Sequence, residues 1–229
     1  MKLISADLSP YSAKVRMQIY AMGLTDIEFD LPQKVLIGKL REISPIARIP
    51  VLVTGNATIP ESEVIAEYLD EKYPDRALLG DTAEKRAEVR LLSRIADIYL
   101  MNNIFLALSQ LDPSKRADEV VKLLVGQIVR GMSALEQHIG SGDYAVGDTL
   151  TRADCSLVPA LFMCEFTVPR LGVENPILAT KKVAAYWKKI QTHELAAKIM
   201  AEMMRGMKAR MDGSEKKLVQ AAIAAASDN

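Results

Sequence analysis

The feature that most limits what this chain can fold into is a change of apolar period near residue 77. Before it, short apolar segments alternate with breaks marked by proline and glycine; after it, apolar residues recur at helical spacing over long stretches. Residues 2–6 read as a short strand and 10–22 as a helix, in which Val15, Ile19 and Met22 form an i, i+4, i+7 stripe before Gly23. Residues 27–31 alternate apolar and acidic side chains and stop at Pro32, as a half-buried strand does. A weaker, partly helical connection covers 32–43. Val51-Leu52-Val53 and Thr58-Ile59 flank a Gly55-Asn56 turn signal as a hairpin. Pro60-Glu61-Ser62-Glu63 opens a helix carrying Val64, Ile65, Tyr68 and Leu69, which stops before Tyr73-Pro74 because a residue preceding proline avoids helical backbone. The order is strand, helix, strand, connection, strand, strand, helix: a small α/β unit.

From Thr82 to about Arg210 the pattern is helical throughout. Helices are predicted over 84–108, 117–139 and 152–167, with shorter ones from Leu178 and from Glu194. We therefore expect domains at 1–76 and 82–229, a linker over 77–81, and a tail from about 213. Thr151-Arg152-Ala153-Asp154 has capping-box form, and Pro159 should bend the helix that follows. The methionines at 200, 203, 204, 207 and 211 keep helical spacing, which suits core filling or an adaptable apolar pocket.

Composition excludes several functions. Lys plus Arg equals Asp plus Glu, so the formal charge is zero and neither nucleic acid nor an anionic membrane is the expected partner. Cys155 and Cys164, nine positions apart on one helix, would face opposite ways about 13 Å apart along the axis and cannot bridge. Neither they nor His138 and His193 have neighbours at metal-ligand spacing, so no metal is expected. The start of the chain lacks a signal-peptide apolar region, and 157–164 is among the longest apolar runs, far short of a membrane span. A cytoplasmic location is the expectation.

Three short stretches carry chemistry. Ser9-Pro10 places a hydroxyl residue at the N-cap and proline at the first helical position, where its missing N–H costs nothing. A helix start also favours an anion, to which a serine can donate. Ile49-Pro50, before a strand, invites a cis peptide. Glu61-Ser62 opens a second helix, where a carboxylate can accept an ammonium group. Ser9 and Ser12 occupy the spacing of a Cys-x-x-Cys pair, so a protein thiol redox cycle is not expected.

Taken together, SPYSAKVR, ARIPVL, PESEVIAEYLDEKYP and DTLTRADCSLVPAL, in this order and spacing, resemble the cytosolic glutathione transferases over nearly the whole chain. The resemblance implies a thioredoxin-like βαβ-ββα domain followed by an all-α domain, with glutathione as co-substrate and a homodimer as the assembly. It implies that Ser9 is the serine of the theta-, zeta- and tau-like branches that activates the glutathione thiol. Ile49, before cis Pro50, would pair with the cysteinyl part; Glu61 and Ser62 would hold the γ-glutamyl end. Lys34 would meet the glycine carboxylate, and Asp97 would reach glutathione across a dimer. The thiolate would attack a hydrophobic electrophile in a pocket drawing on Tyr11, Tyr99, Asn103, Phe162 and Phe166. Pro10-Tyr11 departs from the Ser-Cys of zeta-like proteins, which weighs against a maleylacetoacetate isomerase. A glutathione-dependent isomerase or ether-cleaving enzyme, and a non-catalytic binding or regulatory protein, remain alternatives on the same fold.

Overall fold

The structure, a computed structural model, describes residues 1–31 and 40–227. Two compact units divide it: Met1–Ala77 together with Lys198–Asn229, and Leu78–Ala197.

The first unit is built on a four-stranded sheet. Its elements are β1 (Lys2–Ile4), α1 (Pro10–Ala21), β2 (Glu28–Asp30), α2 (Leu40–Ile43), β3 (Val51–Val53), β4 (Thr58–Pro60) and α3 (Ser62–Lys72). The strand order is β2-β1-β3-β4, with β2 parallel to β1 and the other pairs antiparallel. A parallel pair needs a crossover, and α1 supplies it. Leu3, Ile4, Val51 and Leu52 are buried in the sheet, and Gly23 leaves α1 at φ +63°, where glycine is unstrained. The apolar stripe understates how deeply α1 sits. Lys14, Arg16 and Gln18 are buried with Val15, Met17 and Ile19. Each therefore needs a partner. Lys14 pairs with Glu63 of α3, and the Gln18 amide donates to Ala66 O at 2.9 Å and Asp70 Oδ1 at 3.2 Å.

The second unit holds α4 (Ala83–Arg94), a π-helical segment (Ile95–Met101), α5 (Asn102–Ala107), α6 (Asp118–His138), α7 (Arg152–Thr167) and α8 (Lys182–Ile190). Helix α9 (Glu194–Met211) starts here, but from Lys198 it groups with the sheet, as does α10 (Ser214–Ser227). The helix expected over 84–108 is thus interrupted by π turns. The Asn103 amide donates to the carbonyls of Ile98 and Tyr99 at 3.0 and 2.9 Å, satisfying groups that the wider turn frees. Opposite lies Gly131 of α6, where a Cβ would stand 2.6 Å from Tyr99 Cβ. By length and composition alone, the continuous stretch Ala83–Gln110 could cross a membrane, contrary to the sequence expectation. Its most apolar window is 56% buried within the protein, as in a core helix.

Helix α7 is the centre of this unit, with every residue from Arg152 to Cys164 buried. A helix buried on every side belongs inside a protein, and α7 continues past Pro159. Burial pushes the Cys164 thiol far above its ordinary value, which leaves it inert.

Helix α8 starts at Lys182, after turns over 176–179, because its N-terminus is capped from another helix. The Glu136 carboxylate of α6 accepts the backbone N–H groups of Lys181, Lys182 and Val183 at 2.9–3.1 Å. These bonds, led by that of Lys182, hold its carboxyl below the ordinary value near 4.5. A lowered folded value means stability that is present above the unfolded value and lost as pH falls through the folded one. Glu136→Gln should therefore lower Tm at neutral pH and flatten the decline below about pH 4.5. Thermal melts of both proteins across that range check this.

Candidate active site

Sheet register assembles the site. Ile4, the last residue of β1, pairs with Val51, the first of β3, and Val51 pairs in turn with Pro60, the last of β4. The turn after β1, the loop before β3 and the turn after β4 therefore leave the sheet at one end, side by side. These turns carry Ser9, Ile49-Pro50 and Glu61-Ser62.

Ser9 is the N-cap of α1, with extended backbone (φ −74°, ψ 112°), and its Oγ accepts the Ser12 N–H at 3.2 Å. Its carbonyl takes the Ala13 N–H at 2.8 Å. An accepting Oγ still has its own O–H to donate, so capping and anion binding do not compete. No acidic residue lies in the first turn of α1, leaving the positive helix end unopposed there. Tyr11 is half-buried beside this turn, and the Ser12 hydroxyl is buried without a partner among the described residues.

The Ile49-Pro50 peptide is cis, as expected, and Pro50 is buried next to β3. Glu61 is exposed at φ +69° and ψ 117°, a conformation that costs a non-glycine residue about 1–3 kcal/mol. Ser62, the first residue of α3, is 6% exposed. The strain falls where Glu61 and Ser62 meet the start of α3. Glu61→Gly should relax the backbone and stabilise the fold by about 1 kcal/mol. Parallel thermal melts of the two proteins check this; a less stable variant contradicts it.

Lys34 lies outside the described residues. In the helical unit, Asp97 and Tyr99 sit on the π segment, with Asn103 in the helix that follows it. Asp97 is buried and paired with Arg94 at 3.3 Å; Tyr99 is 37% exposed. The Asn103 side chain is committed to its own helix. Phe162 is buried, and its ring lies tilted at 40° to that of Phe166, centroids 4.6 Å apart; Phe166 is 37% exposed. The methionines divide: Met203 is fully buried, while Met204 and Met211 are exposed. Met204 and Met211 line an open groove of about 760 Å³ along α9 with Met207 and Ala201, rimmed by Arg205, Lys208 and Asp212.

The Ser9 turn is held by residues that are distant from it in sequence. Arg16 reaches back to that turn and across to Glu202, and Arg205 binds Asp7 at 2.7 Å. The available signal was that α1 carries Lys14 and Arg16 with no acid of its own.

A four-stranded sheet with a serine-capped helix and a cis proline before its third strand is a thioredoxin-like unit, and the chain also carries an all-α unit. Family models agree: the glutathione S-transferase N-terminal domain matches residues 3–77 and its C-terminal domain 118–187. A "probable maleylacetoacetate isomerase" of Caenorhabditis elegans is 36% identical over 161 residues, 67% of this chain and 74% of that protein. A "stringent starvation protein A homolog" of Coxiella burnetii is 30% identical over 200 residues, 85% and 88% of the two chains. A glutathione S-transferase of Methylobacterium radiotolerans, solved with glutathione sulfonate, superposes with a TM-score of 0.75 at 21% identity, covering 87% and 93%. The chain belongs to the cytosolic glutathione transferase family.

Proposed function

We propose that this protein binds glutathione at the end of its sheet and uses Ser9 to hold the thiol as a thiolate for attack on a small hydrophobic electrophile. The observation that carries this reading is the register Ile4–Val51–Pro60, which sets Ser9, Ile49-Pro50 and Glu61-Ser62 side by side. In this reading the Ile49 backbone pairs with the cysteinyl residue, Glu61 and Ser62 take the γ-glutamyl ammonium and carboxylate, and Lys34 meets the glycine carboxylate. The Ser9 O–H donates to sulfur, and the α1 N-terminus adds its field; both favour the ionised thiol. Sulfur then gives its electron pair to an electrophilic carbon, and the leaving group departs with the displaced pair. The methionine-lined groove along α9 supports an apolar second substrate. A homodimer in the cytoplasm, with Asp97 near the partner's glutathione, belongs to the same proposal.

A second reading is favoured by the relative named as a maleylacetoacetate isomerase. There the thiolate would add to a conjugated cis double bond, and after rotation its elimination would restore glutathione. Assays with chlorodinitrobenzene and with a cis-dienoic diacid, each with and without glutathione, separate the two. Turnover of neither, with no calorimetric glutathione binding, overturns both.

A further inference from the structure

Arg16 is 3% exposed and uses its guanidinium as a fork between two segments far apart in sequence. One side holds the turn after β1. Nη1 donates to Ser5 Oγ at 3.2 Å and to Ala6 O at 2.9 Å, and Nη2 donates to Asp7 O at 3.1 Å. The other side meets α9, with Nε donating to Glu202 Oε2 at 2.8 Å. The Ala6 carbonyl matters most, because it also accepts the Ser9 N–H at 3.1 Å. One carbonyl oxygen thus links the guanidinium to the backbone of Ser9.

Helix α9 completes this arrangement. Glu202 Oε1 accepts the Tyr20 hydroxyl at 2.9 Å, so both carboxylate oxygens are engaged. Burial, then the Glu202 bond and charge, push the Tyr20 phenol far above its ordinary value, which keeps it protonated as a donor. Lys198 stands 3.5 Å over the Tyr20 ring. Arg205 binds Asp7, and at Gly206 a Cβ would come within 2.6 Å of Leu8 N. Four successive residues from Ala6 to Ser9 are therefore touched or bonded by this network.

We propose that Arg16, braced by Glu202, is a positioning residue: it fixes the turn that aims the Ser9 hydroxyl at the glutathione sulfur. A guanidinium suits this task, since its planar donors hold the oxygens of the turn and of Glu202 in one fixed geometry, which a lysine ammonium does not impose. The inference rests on the reading of Ser9 as the group that stabilises the thiolate. A hydroxyl displaced by about 1 Å loses much of its stabilisation of the thiolate even when the tripeptide still binds.

The test compares wild type, Arg16→Lys and Glu202→Gln, each saturated with glutathione. The readouts are the ultraviolet thiolate absorption across pH, kcat and the glutathione KM. Arg16→Lys should lower the thiolate fraction and kcat at neutral pH roughly tenfold, with KM changed less than about twofold. Glu202→Gln keeps the side-chain shape and an acceptor for Tyr20, and should lower both by about threefold. It decides the matter if Arg16→Lys does not fold. Variants that melt earlier but keep the wild-type thiolate titration and kcat would overturn the positioning role and leave Arg16 a structural tie. A wild type that binds glutathione without any thiolate signal would instead overturn the Ser9 reading, and this inference with it.

Discussion

Replacing Ser9 by alanine is expected to lower kcat/KM for the glutathione-dependent reaction about 100-fold, with most of the loss in kcat. The expectation follows from what the hydroxyl does in the free protein. Its Oγ accepts the Ser12 N–H at 3.2 Å, which uses a lone pair and leaves the proton for the ligand. An accepted hydrogen bond also polarises the O–H and makes it a better donor. Alanine removes both roles, so the same variant should lose about 1 kcal/mol of stability as a helix cap. Ser9→Thr keeps the cap and the donor and should retain more activity than alanine. Steady-state kinetics and urea melts on both variants separate the contributions. If Ser9→Ala keeps full activity and loses only the capping stability, Ser9 is a cap and nothing more.

The largest stability loss is expected at Asp154. Its buried carboxylate accepts Ala145 N–H at 2.8 Å, Thr151 N–H at 2.8 Å, Thr151 Oγ1 at 3.0 Å and the Tyr186 hydroxyl at 3.0 Å. Burial pushes this carboxyl above its ordinary value, and the four donors oppose the shift. The sequence shows the capping box alone; the structure adds the loop before α7 and helix α8 to the same acceptor. Asp154→Ala would leave these donors buried without a partner and should cost roughly 3–5 kcal/mol. Tyr186→Phe removes one donor and keeps the ring, so about 1 kcal/mol is expected. Urea denaturation measures both. An Asp154→Ala loss below about 1 kcal/mol would contradict the account of α7 as a helix held by one shared carboxylate.

Much of the sheet unit was legible because its punctuation is local. Ser9-Pro10 marks a helix start, Gly23 its end, and Pro74 the end of α3, and each acts through backbone geometry within a few residues. The same locality made the Ser9 turn, the cis Ile49-Pro50 bond and the Glu61-Ser62 helix start recognisable as a set. The features that stayed hidden depend on distant residues. Arg16 and Glu202 are 186 positions apart, and nothing near either names the other. The π segment lies where Tyr99 approaches Gly131, a fit that a 3.6-residue period cannot reveal. Helix α8 begins at Lys182, not Leu178, because its cap is Glu136 on another helix. The strain at Glu61 was equally silent, since a glutamate at a helix start reads as an ordinary dipole partner.

In the proposed reading, Ser9 stabilises the thiolate of bound glutathione. A crystal structure with glutathione tests this. The predicted result places the sulfur within about 3.5 Å of Ser9 Oγ, with the cysteinyl amide against the Ile49 backbone and the γ-glutamyl end at Glu61 and Ser62. A tripeptide bound with its sulfur directed away from the α1 N-terminus would contradict it.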